Sequence, residues 1–414
     1  VSGHLSNNDL PDILVDRLSA DGRFRVCIER GDVGLFDKYE HEWLRLWEAE
    51  HRRDPAYHPN LLRLLAANFF DRAVIYLFTV WSAGRLRAVL PLCATGGSCF
   101  GIRLQSLSNP HSSRFDLLTD EGMDDDILAD LFRVAMDAFP GWRQVVISPA
   151  PADGRMVKVL GRLSKQTGHI GFWESRCMPY FSLSEGEDVF PVDASAKFRA
   201  NIRRRQRKLE QEKGVPLMLK RTEKFDENTW QRFLALEHSG WKGKRGSAIL
   251  SDDRATRFYT DWARLAADLR QLNLYELYAG DTPIAVHFGL VDRGCYYVPK
   301  LAYREDYKEY GPGQLIVAQI LRDLKSRGVR EFDFLGPKMD WKMEWTSRCR
   351  VHGRYYWYCP NAVGSTAYYF RFGVVKYLLW AKSTLKTWWS KTTLAVYGGA
   401  SHDNFWITSL MEIL

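Results

Sequence analysis

A chain of 414 residues with 46% hydrophobic and 26% charged residues has ample material for a packed core, and two or three domains follow from roughly 100–200 residues per domain. No apolar run reaches the roughly 18 residues that cross a bilayer, no signal peptide is visible, and the seven cysteines are scattered without a C-x-x-C pair. These features predict no membrane-spanning helix and reduced thiols in the cytoplasm, with neither a disulfide framework nor a metal site. The net charge of +8 predicts anionic partners.

Taken in order, residues 1–22 are polar and read as loosely ordered, and 24–29 reads as a strand. Phe36, Tyr39, Trp43, Leu44 and Trp47 recur at helical spacing over 35–48, and Pro59 opens a second helix over 60–70. A hairpin pattern follows, with strands over 74–81 and 86–93 around Ser82-Ala83-Gly84. A strand over 102–107, a helix over 124–139, a short strand over 144–148 and a helix over 155–167 complete the first half.

The second half repeats this order. "LYELYAGDTPIAVHFGL" aligns with "YLFTVWSAGRLRAVLPL", the turn in the same place, and each half continues with strand, helix and a short apolar strand, "VREFDFLG" matching "WRQVVIS". The pattern predicts two copies of one α+β unit meeting near 185–191: a polar segment over 1–22, a unit over 23–187, a unit over 188–360 and a basic, aromatic helical tail over 361–414. The turn Gly311-Pro312-Gly313 opens a helix in the second unit, and "DWKMEW" follows the short strand over 329–335. A glycine turn at a helix start leaves backbone N–H groups and the positive end of the dipole facing an anion.

The segments "KFRANIRRRQRKLEQEKGV", "FLALEHSGWKGKRGSAI", "YAGDTPIAVHFGL", "YGPGQLIVAQILRDLKSRGVREFDFLG" and "DWKMEW" carry a resemblance. In order and spacing the chain resembles tandem GNAT acyltransferases, the group that includes FemAB-like transferases and CelD-like acetyltransferases of the cellulose-biosynthesis type. The resemblance implies two GNAT folds around a central cleft and acyl transfer to an amine. Acyl-CoA is the implied donor; aminoacyl-tRNA serves in the FemAB branch and is the alternative, as is a non-catalytic scaffold binding anionic lipid. The family's pyrophosphate loop usually begins with Arg or Gln, whereas this chain has Glu309-Tyr310-Gly311-Pro312-Gly313. The glycines hold and the arginine is missing.

For the cofactor the resemblance points to Tyr310, Gly311, Gly313 and Gln314, with Arg203 from the basic block over 197–208. Amine acylation needs a proton acceptor and stabilisation of the carbonyl oxygen. His238 and Glu237 at a helix end are candidate bases; the bland alternative is a histidine complementing the helix dipole. His287 in an apolar strand reads as a core histidine. Asp333 between Phe332 and Phe334 is costly unless paired, and reads as a site carboxylate or the partner of an arginine. Lys342 resembles a family lysine that faces the substrates, with a solvated strand lysine as the alternative. The resemblance implies Tyr303 and Tyr307 flanking the cleft as proton donors to the leaving thiolate, with core tyrosines as the alternative. Between Glu344 and Asp403 no acidic residue occurs and eight lysines and arginines do. Tyr368, Phe372, Val375 and Leu379 form an apolar stripe there, and Trp380, Trp388 and Trp389 suit an interfacial helix. The acceptor fitting such a tail is a lipid amine, as in the bacterial ceramide synthases the chain also resembles, or an amino sugar of an envelope polysaccharide. The enzyme is then peripheral on the inner membrane, and nucleic acid enters only through a tRNA donor.

Overall fold

The computed structural model describes residues 12–50, 54–94, 101–183 and 189–378. In chain order the elements are β1 (Asp12–Leu18), β2 (Arg25–Gly31), α1 (Gly34–Ala49), α2 (Pro59–Phe69), β3 (Val74–Ser82), β4 (Arg85–Ala94), β5 (Ile102–Ser106), β6 (Leu118–Thr119), α3 (Asp125–Ala138), β7 (Trp142–Pro151), α4 (Arg155–Thr167) and β8 (Ile170–Ser182). The second half follows as α5 (Ala196–Lys213), β9 (Leu217–Thr222), α6 (Glu227–Ser239), α7 (Trp241–Lys244), α8 (Asp253–Asp268), β10 (Leu272–Ala279), β11 (Thr282–Asp292), β12 (Cys295–Tyr303), α9 (Pro312–Ser326), β13 (Glu331–Asp333), α10 (Asp340–Met343), β14 (Cys349–Tyr358) and α11 (Ala362–Tyr369).

Among the described residues the strands form one mixed sheet in the order β1-β2-β3-β4-β5-β7-β14-β8-β13-β12-β11-β10-β9, with β6 paired to β4. Each half is an antiparallel meander ending in a parallel pair, β5 with β7 and β12 with β13. The α+β repeat is therefore visible as repeated topology. The halves exchange strands: β14 sits between β7 and β8, and β8 pairs onward with β13. Helices cover the sheet with apolar faces at helical spacing. On α3 these are Leu128, Leu131, Phe132 and Ala135, behind an Asp124 cap that accepts from the amides of Asp126 and Ile127. The second half has a core on each sheet face. One joins α5 and α9 around the buried Trp345. The other joins α6 and α8 and takes in Leu61 and Leu65 of α2, from the first half.

Several details depart from the sequence reading. Residues 12–18 form an edge strand on β2 rather than a loose segment. The strand expected over 329–335 shrinks to three residues, because the chain leaves β12 after that point. In the tail, Tyr368 and Phe372 pack on Tyr356 and Tyr358, whereas Leu378 is exposed; Leu379, Trp380, Trp388 and Trp389 lie outside the described residues. No helix among the described residues is long and apolar enough to cross a membrane.

The expectation that every thiol is reduced is corrected by a Cys177–Cys349 disulfide. These cysteines are 172 residues apart in sequence and meet only because β14 inserts beside β8. Closing so long a loop restricts the unfolded chain, and reduction is expected to lower stability by about 2–4 kcal/mol. Urea midpoints with and without a thiol reductant check this; identical midpoints would show that the bridge contributes nothing.

Candidate active site

The site begins where strands part. β12 pairs with β13 only from Cys295 to Tyr297, and from Val298 to Tyr303 it diverges from the chain running through Phe334 and Leu335. β5 and β7 separate likewise after Gln105 and Val146. Both openings face one cavity of about 880 Å³, walled by the loop 108–113, Ser148 and Pro149 on one side and by 298–303, 311–314 and 334–342 on the other. Residues of both halves line it.

At its second-half wall, Gly311 adopts φ 65°, the left-handed conformation that favours glycine, and Pro312 then starts α9. A Cβ at Gly311 would meet the guanidinium of Arg205. The guanidinium of Arg205 on α5 therefore lies against the turn. Arg203 instead lies exposed over the Phe190 ring, 5.6 Å from its centroid. Tyr310 turns away from the cavity and its hydroxyl donates to Glu212 at 2.7 Å.

The Gln314 side chain locks the turn to the aromatic-basic box. Its Nε2 donates to Glu344 at 2.8 Å and to the Trp341 carbonyl at 3.3 Å, and its Oε1 accepts from Trp345 Nε1. So clamped, α10 points Lys342 into the cavity wall, where it is 5% exposed and Nζ donates to the Pro337 carbonyl at 3.1 Å. Burial pushes the Lys342 pKa down to about 8, opposed by the Asp333 carboxylate. The lysine is a desolvated cation rather than a solvated strand residue.

Of the candidate bases the cavity takes one. Glu237 lines it, with Oε2 accepting from the Ile249 amide at 2.8 Å. His238, one helical step on, is exposed and outside the lining. Tyr303 lines the cavity beside Gly313, and Tyr307 does not. His287 is a core histidine bonded through Nδ1 to Tyr296 Oη at 2.6 Å, and burial drives its pKa down to about 3.

Asp333 lies behind the wall, in a buried chain of charges. Arg114 bridges Asp54 and Asp333 at 2.8 Å each, and Arg350 bridges Asp333 at 2.8 Å and Glu331 at 2.6 Å. Burial works against the Asp333 carboxylate, yet Arg114 and Arg350 outweigh it and hold its pKa below the usual range. It is an arginine partner that ties the halves together.

Sequence reasoning missed His111, Tyr259 and Lys300, all in the lining. His111 stacks on Phe69 at 4.8 Å, and its Nδ1 is 3.1 Å from Tyr259 Oη. Burial, then the charge of Lys300, lowers its pKa to about 4, so the ring is neutral at pH 7. Its only local signal is the turn cluster Ser108-Asn109-Pro110-His111-Ser112-Ser113.

Residues 196–343 match the acetyltransferase (GNAT) domain family. The GNAT match therefore spans α5, the Gly311 turn and most of the box that holds Lys342. Among solved structures the chain is similar to FemX, at 11% identity, 78% of this chain, 96% of that one and a TM-score of 0.52. It is also similar to L-PGS from Bacillus licheniformis (12% identity, 80% and 94% covered, TM-score 0.47) and to a tandem GNAT protein from the clavulanic acid biosynthesis pathway (12%, 80% and 98%, 0.41). The likeness to FemX shows a shared fold. A comparison of the sequence with curated proteins finds no match.

Proposed function

We propose that the chain is an acyl-CoA-dependent N-acyltransferase acting on the amine of a lipid or of an envelope amino sugar. The observation that carries this reading is the cavity at the parting of β12 and β13, with the Gly311 turn and the desolvated Lys342 on its second-half wall and Arg205 against the turn from α5. In this reading 23–187 shapes the acceptor side and 188–360 the donor side, with 361–414 as the tail.

The turn fits a diphosphate, because a glycine at 311 lets the Arg205 guanidinium lie against the start of α9. When bound there, acyl-CoA supplies the activated acyl group. Lys342 offers a fixed cation to the charge that develops on the carbonyl oxygen. Glu237 takes the proton from the attacking amine, and Tyr303 is placed to donate one to the departing sulfur. Met178, Val298, Leu301, Met339 and Trp341 in the lining favour an acceptor or acyl group with apolar bulk. With an acyl-CoA donor the enzyme works in the cytoplasm, and the basic aromatic tail suits the inner face of the membrane.

Titration calorimetry with CoA and with a long-chain acyl-CoA is the test. Both should bind, the acylated form more tightly, and heat from neither would overturn the reading. Acyl transfer abolished by ribonuclease would assign the donor to aminoacyl-tRNA instead.

A further inference from the structure

A cluster of arginines, with no carboxylate partner among the described residues, lies on the same strand face as the cavity, farther along the sheet. Arg103 of β5 is in register with Gln144 of β7, and Gln144 with Tyr358 of β14, so these side chains leave the sheet on one face. Ser148, in the cavity wall, is four residues along β7 from Gln144, roughly 13 Å at strand rise. Arg371 closes over the group, donating to the Tyr358 hydroxyl at 2.8 Å and the Tyr356 hydroxyl at 3.4 Å. Burial lowers the Arg103 pKa; the Tyr356 hydroxyl opposes, and the charges of Arg371 and Arg143 lower it further.

Nε of Arg103, Nε of Arg143 and both amide atoms of the fully buried Gln144 have no hydrogen-bond partner among the described residues. Buried donors are rarely left so unless a ligand or solvent supplies the acceptor. Beside the cluster, Tyr369, Phe370, Val374, Tyr377 and Leu378 are exposed along one helical segment, with Lys376 among them. Aromatic and aliphatic side chains next to arginines that have no carboxylate partner among the described residues suit the headgroup layer of a bilayer.

We infer that Arg103, Arg143 and Arg371 bind the phosphodiester of an anionic phospholipid, with the exposed side chains over 369–378 resting in the interface. A bilayer is the source of the phosphate because the cations border an apolar surface rather than open solvent. Vesicle binding is read without turnover, so its failure leaves acyl transfer standing, and the reverse also holds.

The test is co-sedimentation of the full chain with vesicles of phosphatidylcholine alone or mixed with phosphatidylglycerol, alongside thermal shifts in inorganic phosphate. Binding is expected only with phosphatidylglycerol, weakening with salt and falling about fivefold in each of Arg103→Gln and Arg143→Gln. Arg103→Lys should retain it. Without vesicles Arg103→Gln should melt at a higher temperature, because a desolvated charge among like charges is removed. Equal binding to phosphatidylcholine, undiminished binding by Arg103→Gln, or loss of binding with a lowered melting temperature would each overturn the assignment. So would stabilisation by inorganic phosphate without vesicle binding.

Discussion

Lys342→Met is expected to cut acyl transfer about 10²–10³-fold, the usual loss when one donor to a developing oxyanion is removed, while leaving the protein as stable or more so at pH 7. The two effects diverge for one physical reason. Lys342 is 5% exposed, has one carbonyl acceptor, and has its pKa lowered from 10.5 to about 8 by burial. The unfolded chain then binds more protons than the folded one between those values. Its charge therefore opposes folding fully below pH 8, and the penalty fades as pH rises toward 10.5. Methionine fills the volume without the penalty. Activity should run the other way and fall as pH rises through about 8, as the cation is lost. Turnover and urea midpoints measured from pH 6.5 to 9.5 on both proteins decide it; parallel losses of turnover and stability would make Lys342 structural.

The second large effect belongs to Arg114. It is buried and bridges Asp54 to Asp333, so Arg114→Met leaves carboxylates in a dry interior with fewer partners. Removing one member of a buried ion pair costs about 3–5 kcal/mol, and Arg350 remains on Asp333 to limit the loss. The damage should not stay local. Arg114 follows the loop 108–113 that walls the cavity, and Asp333 ends the strand where the cavity opens. Chemical denaturation gives the stability loss, and acyl-CoA affinity should weaken in the same variant. A change under about 1 kcal/mol, no more than an exposed surface ion pair is worth, would show that the network is replaceable.

What could be read from the sequence was periodic or local. The paired hairpins stood out because apolar alternation flanked Ala83-Gly84 and Gly280-Asp281 alike. Gly311 was legible as a turn for the same reason. What escaped was contact between distant parts of the chain. Arg205 looked no different from Arg203, since only the placement of α5 decides which of them meets Gly311. Glu237 and His238 were separated by one helical step that a sequence cannot phase at a helix end. Asp333 was rightly marked as needing a partner, but Arg114 lies 219 residues away. Cys177 and Cys349 found each other only through the insertion of β14.

That insertion also orders events in time. A ribosome makes β7 and β8 well before β14, and the gap between them stays open until Tyr358 has emerged. Until then β7 and the first part of β8 are unsatisfied edges, the kind that recruit strands from other chains. A first half that folds during synthesis therefore still lacks a sheet neighbour for β7, however complete its sequence repeat looks. Its sheet is finished by a strand borrowed from the last stretch of the second.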